Sequence, residues 1–202
     1  RNNLKYLSDG RIIYHAAALG ITYSKANHSQ AFFDKHVDDI LAFTLSSSGQ
    51  LAATGEVGRR PNIYVWNTNS MASLANFKQP LQNGIAALAF TPSESKLVAV
   101  GMDDNHSIAV YDLTAKALMC SFKGDREKIL DVAWISEKDF VTSGLKHFKV
   151  WSGPQLSGRR GQFGPCNSLL VSLAVQGTSV YTGNVAGQII KWNGTSALKP
   201  FQ

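Results

Sequence analysis

The stretch that decides the fold lies between Ile40 and Asn67 and contains three short segments: ILAFTL at 40–45, AATG at 52–55 and IYVWN at 63–67. Each segment is apolar enough to form a buried strand, and Gly, Ser, Asn or Pro residues separate it from the next. The same pattern returns further along the chain. In each copy an aliphatic residue opens the first segment, a small residue and a glycine end the second, and an aromatic residue marks the third.

These markers keep a nearly constant spacing through four copies of the pattern. The aromatic residues follow one another after 45, 40 and 41 residues, and they are Trp66, Tyr111, Trp151 and Trp192. The glycine pairs keep the same order, at Thr54-Gly55, Val100-Gly101, Ser143-Gly144 and Thr182-Gly183. A repeat of about 40–45 residues with four short strands is typical of a WD-type propeller blade. Three markers in phase predict this fold more specifically than any single Trp-Asp dipeptide.

We therefore predict an all-β, WD-repeat β-propeller of about five blades over residues 1–202. The predicted units are a partial blade at 1–34 and blades at 36–78, 83–123, 126–163 and 167–202, with a weak outer strand of the fourth near 161–163. Propellers usually close with about four to eight blades, and an open arc leaves strand edges bare. We expect the chain to be a piece of a larger propeller, so that the rest of the parent propeller is one of its partners.

The composition excludes several classes of protein. A hydrophobic fraction of 44% and a charged fraction of 17% are ordinary for a globular domain, and no apolar run is long enough for a membrane-spanning helix. Cys120 and Cys166 lack metal-ligand spacing and are expected to be buried small residues in a reducing cytosol. The net charge of +6 favours an acidic partner. Because no basic run reaches five residues, no nucleic-acid partner is predicted.

No catalytic motif accompanies the repeats. The five histidines form neither a His/Cys cluster nor a His-x-x-x-His pair, and the chain has no phosphate-binding glycine loop. The adjacent acids Asp38-Asp39 and Asp103-Asp104 fit solvated turns. We predict a protein that is not an enzyme and has no catalytic, cofactor-binding or metal site. An enzyme built from several loops stays open as an alternative, and it would need a convergent polar pocket at the channel mouth.

A polar network of His, Ser or Thr, Trp and Asp often ties a WD blade together, and here it is predicted to be incomplete. His36, Thr54 and Trp66 form a partial set, but the turn at 56–62 contains no Asp. The third blade has Tyr111 in place of Trp. The structural residues predicted for this role are His36, Thr54, Trp66, Tyr111, Ser143, Trp151 and Trp192. Packing is therefore expected to supply most of the cohesion.

The surface offers the remaining candidates for function. Turns between second and third strands emerge on the same rim of a propeller as the segments between blades. Eight residues on that rim are predicted to bind a protein partner: Arg59, Arg60, Asp103, His106, Arg126, Lys128, Lys146 and His147. The pair Arg59-Arg60 is the most exposed candidate, since Arg binds carboxylates with two hydrogen bonds. A loop that only promotes solubility is the alternative for this pair and for Arg159-Arg160 on the opposite rim.

Several segments resemble the echinoderm microtubule-associated protein-like family. They are RNNLKY at 1–6, GITY at 20–23, HSQAFF at 28–33, HVDDI at 36–40, ATGEVG at 53–58, IYVW at 63–66 and GLKHFKVW at 144–151. The resemblance implies a WD-repeat scaffold of the cytoplasm and cytoskeleton, extending to the ciliary axoneme, that binds tubulin or microtubules. It also implies a conserved hydrophobic motif before residue 1. The alternative is a general WD adaptor, of ciliary or ubiquitin-ligase type, without tubulin contact.

Overall fold

The computed structural model describes residues 3–153, 155–166 and 168–201. Within these residues the chain forms twenty β-strands and no helix, and the strands fall into five antiparallel sheets of four strands in sequence order. This confirms the predicted all-β propeller architecture. No helix of the described residues has the length and apolar character needed to cross a membrane.

The first sheet contains β1 (Leu4–Tyr6), β2 (Ile12–Ala16), β3 (Leu19–Ser24) and β4 (Ser29–Phe33). The second contains β5 (Ile40–Leu45), β6 (Leu51–Glu56), β7 (Ile63–Asn67) and β8 (Ser73–Phe77). The third contains β9 (Ile85–Phe90), β10 (Lys96–Gly101), β11 (Ile108–Asp112) and β12 (Ala117–Phe122). The fourth contains β13 (Ile129–Trp134), β14 (Phe140–Gly144), β15 (His147–Ser152) and β16 (Ser157–Arg160), and the fifth contains β17 (Leu170–Gln176), β18 (Ser179–Asn184), β19 (Ile189–Asn193) and β20 (Ser196–Ala197).

We propose that each sheet is one blade, with the bounds predicted from the repeats. The outer strand of the fourth sheet lies at Ser157–Arg160, so its predicted position near 161–163 was wrong. Gly153 adopts a φ of 79°, which lets the chain turn back soon after β15. Residue 162 instead reaches the next sheet, because its backbone N–H donates to the carbonyl of Thr195.

The five sheets surround a common channel. The first strands of neighbouring sheets pack side by side, β5 on β9, β9 on β13 and β13 on β17, and β2 packs on β5. Lys5 of the first sheet lines the same cavity of about 450 Å³ as Leu173 and Ala174 of the last. The arrangement is therefore radial, with the first strand of each sheet nearest the axis.

Aromatic contacts join each sheet to the next. A phenylalanine at or just after the outer strand of one sheet meets the aromatic marker on the third strand of the following sheet. The four ring pairs and their centroid distances are Phe33–Trp66 at 4.9 Å, Phe77–Tyr111 at 4.3 Å, Phe122–Trp151 at 4.9 Å and Phe163–Trp192 at 5.5 Å. Such pairs stabilise by about 0.5–1.5 kcal/mol beyond the area that they bury. This contact explains why the repeat needs an aromatic residue on its third strand.

The glycine marker occupies two different positions of the strand register. Gly55 and Gly183 lie opposite Ala42 and Ser172, whereas Gly101 and Gly144 lie one position later, opposite Ile85 and Ile129. None of these four glycines has a positive φ. These glycines are therefore needed for close packing and not for a turn. At Gly55, for example, an added Cβ would lie 2.5 Å from the Cβ of Ile85 in the next sheet.

Substituting Gly55 by alanine is expected to destabilise the protein by about 1–3 kcal/mol, since the clashing Ile85 Cβ is fixed to the backbone. Gly183→Ala is the matched control at the equivalent register position. There the added Cβ meets the Ser172 hydroxyl, which can rotate away, so the expected loss is below about 1 kcal/mol. Urea unfolding followed by tryptophan fluorescence measures both variants. Equal losses would contradict the role given to the neighbouring sheet.

Candidate protein-binding rim

We call one end of the channel the upper rim. It consists of the turns between second and third strands together with the segments that lead into the inner strands, and backbone hydrogen bonds hold the two together. Val57 donates to Asp39, Met102 to Gly84, Leu145 to Lys128 and Val185 to Leu169. The opposite end, with the turns between first and second and between third and fourth strands, is the lower rim.

Exposed cations predominate on the upper rim of the second to fourth sheets. In the segments 34–39, 57–62, 78–84, 102–107, 123–128 and 145–146, eight lysines and arginines are exposed against four aspartates. The cations are Lys35, Arg59, Arg60, Lys78, Lys123, Arg126, Lys128 and Lys146, and the aspartates are Asp34, Asp38, Asp39 and Asp104. Within the described part of the chain, Lys35 forms an ion pair with Asp34, and the other seven cations form none.

Of the further acids of this rim, Glu127 is half-buried and three others are directed inward. Asp103 accepts hydrogen bonds from the backbone of Asn105 and from the hydroxyl of Ser107, so it shapes the turn in which it lies. Glu56 and Asp125 are held by buried histidines. His106 is half-buried, and its Nδ1 lies 3.2 Å from the carbonyl oxygen of Asp125. The rim therefore presents unbalanced positive charge to a partner.

The second sheet contains a complete chain of hydrogen bonds. Trp66 Nε1 donates to Thr54 Oγ1 at 3.1 Å, and the Thr54 hydroxyl donates to His36 Nε2 at 2.7 Å. His36 Nδ1 then donates to Glu56 at 2.7 Å, which assigns a neutral imidazole with its proton on Nδ1. Burial lowers the pKa of His36 in keeping with that state, although Glu56 opposes it. The acid that the sequence analysis did not find is Glu56, at the end of β6.

The fourth sheet has an equivalent chain built from different residues. Trp151 Nε1 donates to Thr142 Oγ1 at 2.9 Å, Thr142 donates to His147 Nε2 at 2.7 Å, and His147 Nδ1 donates to Asp125 at 3.0 Å. Two predictions are corrected here. Thr142, and not Ser143, is the hydroxyl partner, because Thr142 lies opposite Val132 as Thr54 lies opposite Phe43.

The second correction concerns His147, which was predicted to face a protein partner. Its side chain is fully buried at the start of β15. The preceding turn is so short that His147 already belongs to the strand, where its ring points into the sheet. His147 therefore belongs to the structural network and not to the binding surface.

The two networks exchange the positions of acid and histidine. His36 precedes the first residue of its inner strand, Ile40, by four positions, and Asp125 precedes Ile129 by four. In the second sheet this position supplies the histidine and the strand end supplies the acid. In the fourth sheet the same position supplies the acid, and the third strand supplies the histidine. The position four residues before the start of the inner strand is the sequence signal that could have identified Asp125.

The third and fifth sheets retain only parts of the network. Tyr111 donates to the carbonyl of Gln79 at 2.9 Å, and Ala99 stands where the second, fourth and fifth sheets have threonine. Trp192 donates to Thr182 at 2.8 Å. Cys166 is buried, with its thiol 3.5 Å from the carbonyl of Leu198, whereas Cys120 is only half-buried. These groups stabilise their sheets, in which apolar packing replaces the missing polar partners.

Two known proteins are similar to this chain over almost all of its length. A ciliary WD repeat-containing protein, ctxp80 of Euplotoides octocarinatus, is 26% identical over 96% of this chain and 31% of its own length. Echinoderm microtubule-associated protein-like 2 of Rattus norvegicus is 28% identical over 95% of the chain and 32% of its own. The chain is thus similar over almost all of its length to a ciliary WD-repeat protein and to an echinoderm microtubule-associated protein-like protein. It spans about a third of the length of these relatives.

Two further matches agree with this relationship. The solved structure of U3-55K superposes with a TM-score of 0.82 at 17% identity, over 98% of this chain and 63% of that one, which supports the propeller fold alone. The family model described as the HELP motif matches residues 1–21. The resemblance had implied a family motif ahead of residue 1, whereas this match covers β1, β2 and part of β3. Arg1 and Asn2, the first residues of the match, lie outside the described residues.

Proposed function

We propose that this chain is a non-catalytic WD-repeat scaffold that binds microtubules through its upper rim, in the cytoskeleton or the ciliary axoneme. The names of its relatives support the partner. The observation that carries the choice of surface is the set of exposed cations without ion pairs, led by Arg59 and Arg60 in one turn. Cations that have no acid of their own can pair with an acidic partner, and such pairs mainly raise the association rate and the specificity.

Cosedimentation with polymerised tubulin tests this proposal. The protein is expected to pellet with microtubules at low salt and to be released as the ionic strength rises, because salt screens exposed charges. The variant Arg59→Glu/Arg60→Glu is expected to bind about tenfold more weakly, as each reversed charge removes an attraction and adds a repulsion.

The matched control is Lys116→Glu/Lys138→Glu, which makes the same charge change on the exposed lower rim. It is expected to change binding less than about twofold. No pelleting at low salt would contradict microtubule binding. Equal losses in the two double variants would contradict the upper rim as the contact surface.

A general WD adaptor is the second candidate, and the ciliary relative favours it. Under this alternative, affinity purification recovers one stoichiometric partner other than tubulin, and the protein stays in the supernatant of the microtubule assay. We do not propose catalysis. The histidines of the two networks are buried and neutral, and their hydrogen bonds stabilise the sheets.

We also propose that the outer faces of the first and last sheets are covered by further blades of the parent propeller. Leu4 and Tyr6 on β1 are 54% and 69% exposed, and Ile189 on β19 is 53% exposed. Comparable positions of the central sheets are buried against their neighbours. Apolar faces of this kind are a liability for a soluble protein unless another sheet covers them.

A further inference from the structure

A bulge recurs at the start of four inner strands. In the second sheet Ile40 pairs with Glu56 and Ala42 with Gly55, so Leu41 is an extra residue without a partner in the ladder. The register shifts at the same place in the next three sheets, beside Ala86, Leu130 and Val171. Bulges lie preferentially at rims and beside binding sites, where they redirect a side chain. Here they place one aliphatic residue per sheet at the channel mouth.

Three of these bulged residues line one groove. Leu41, Ala86 and Leu130 border a cavity of about 490 Å³ that is closed by Met102, His106 and Lys128. Leu41 and Met102 both lie beside Gly84, where a Cβ would lie 3.0 Å from the methionine sulfur and 3.5 Å from Leu41 Cδ1. Although both side chains are apolar, Leu41 is 41% exposed and Met102 is 40% exposed.

Exposed cations predominate on one side of this groove. Lys128 lies on its wall, and Arg126 precedes it by two residues on the same segment. Lys146 adjoins them, because the backbone of Leu145 donates to the carbonyl of Lys128. All three cations are exposed, whereas Glu127, between Arg126 and Lys128 in the chain, is half-buried, and Asp125 already binds His147 and Lys149. The groove thus combines an apolar floor with a basic border on the side of Lys128.

We propose that this groove binds an acidic, extended peptide segment of a protein partner, with one aliphatic side chain inserted between Leu41 and Met102. Carboxylates on either side of that side chain pair with Lys128, Arg126 and Lys146. The cavity volume falls in the range of about 300–1,000 Å³ that is typical of ligand pockets. This inference rests on the proposed function only in using the upper rim as the binding face. It holds for any partner that presents such a segment.

The lining argues against two other occupants. A small polar ligand needs several convergent hydrogen-bonding groups, whereas among the described residues only His106 and Lys128 supply polar side chains to this groove. A nucleic acid strand needs aromatic rings on which its bases stack, and the part of the lining that the structure describes contains no Phe, Tyr or Trp. A peptide with one apolar anchor and flanking acids matches both halves of the surface.

Fluorescence anisotropy with labelled heptapeptides tests the inference. The first peptide has a central leucine between two runs of three glutamates, the second replaces the leucine by alanine, and the third replaces the glutamates by lysines. The first peptide is expected to bind at low salt, the second at least about fivefold more weakly because it fills less of the apolar groove. The lysine peptide is expected not to bind, since the border would repel it.

Variants separate the two halves of the surface. Met102→Glu and Lys128→Glu are each expected to weaken binding of the first peptide about tenfold. Leu118→Glu on the outer strand β12, where the leucine is 44% exposed, and Lys116→Glu on the lower rim are the matched controls and are expected to leave binding within about twofold. Circular dichroism of each variant checks that the sheets are intact.

The outcomes distinguish this inference from the proposed function. Microtubule pelleting without peptide binding would overturn the groove and leave the proposed function standing. Peptide binding with no microtubule pelleting would overturn the proposed function and leave the groove standing. Equal binding of the leucine and alanine peptides, or equal losses in Met102→Glu and Leu118→Glu, would show that charge alone acts and would also overturn the groove.

Discussion

Replacement of Glu56 by alanine is expected to lower the free energy of unfolding by about 3–5 kcal/mol, because it breaks a buried, charged hydrogen-bond network from one side. The Glu56 carboxylate is 2% exposed. It accepts hydrogen bonds from His36 Nδ1 at 2.7 Å, from the backbone of Val37 at 3.2 Å and from the backbone and side chain of Asn62. Alanine would leave these donors buried without an acceptor, and each such donor is costly.

Urea unfolding at neutral pH measures this loss, with two variants for comparison. Glu56→Gln keeps one acceptor oxygen and is expected to lose less stability than Glu56→Ala. Glu137→Ala removes an acid that also binds a neighbouring sheet, through the backbone N–H and hydroxyl of Ser93, but at a solvated site. Its expected loss is about 1 kcal/mol or less. A Glu56→Ala variant as stable as Glu137→Ala would refute the structural role of the buried network.

The second large effect is a loss of stability in mild acid. The pKa of His147 is lowered to about 4, first by burial and then by the positive charges of Lys149 and Arg160, while Asp125 acts in the opposite direction. The unfolded chain has an ordinary histidine pKa of about 6.5. As the pH falls below that value, the unfolded state takes up a proton before the folded state does. Stability is therefore complete above about pH 6.5 and declines towards pH 4.

The size of this effect follows from the two pKa values. Between pH 7 and about pH 4.5, His147 alone is expected to reduce the free energy of unfolding by about 2–3 kcal/mol. His36 adds to the loss, because burial lowers its pKa as well. Urea titrations at a series of pH values measure the slope. Carboxylates such as Asp125, whose pKa lies below its usual range in the folded state, lose their contribution only at lower pH.

His147→Asn is the variant that isolates this contribution. It is expected to be less stable than the unsubstituted protein at pH 7, because the chain from Trp151 to Asp125 is interrupted. It is also expected to show a flatter dependence on pH between 6.5 and 4.5, since one titrating group is gone. An unchanged slope in this variant would mean that His147 does not take up a proton in this range.

Much of the fold was predictable from the sequence because the same residue types recur at the same places in each repeat. Trp66, Tyr111, Trp151 and Trp192 stand at the same place in four of the five sheets, so their spacing predicted those four sheets. The phenylalanines that contact them also recur, at Phe33, Phe77, Phe122 and Phe163, but their partners lie in the next sheet. That pairing emerges only when neighbouring sheets are stacked.

The candidate site was less predictable, because hydrogen-bond partners depend on register. Thr142 and Ser143 are adjacent small hydroxyl residues, and only the pairing of β13 with β14 shows which one faces Trp151. His147 was predicted to be a turn residue on the rim, but the turn is so short that His147 is the first residue of β15. Glu56 was overlooked because the acid in this blade comes from the strand end and not from the turn.

By itself the sequence determined the all-β repeat, its phase and the surplus of cations, since periodic apolar segments and charge are properties of residues in order. Only the tertiary structure decided which polar groups meet inside a sheet, and that bulged residues of three sheets form one groove. The reason is physical. A hydrogen bond or an apolar contact is specified to within a fraction of an ångström, and a shift of one residue turns a strand's side chains to the opposite face.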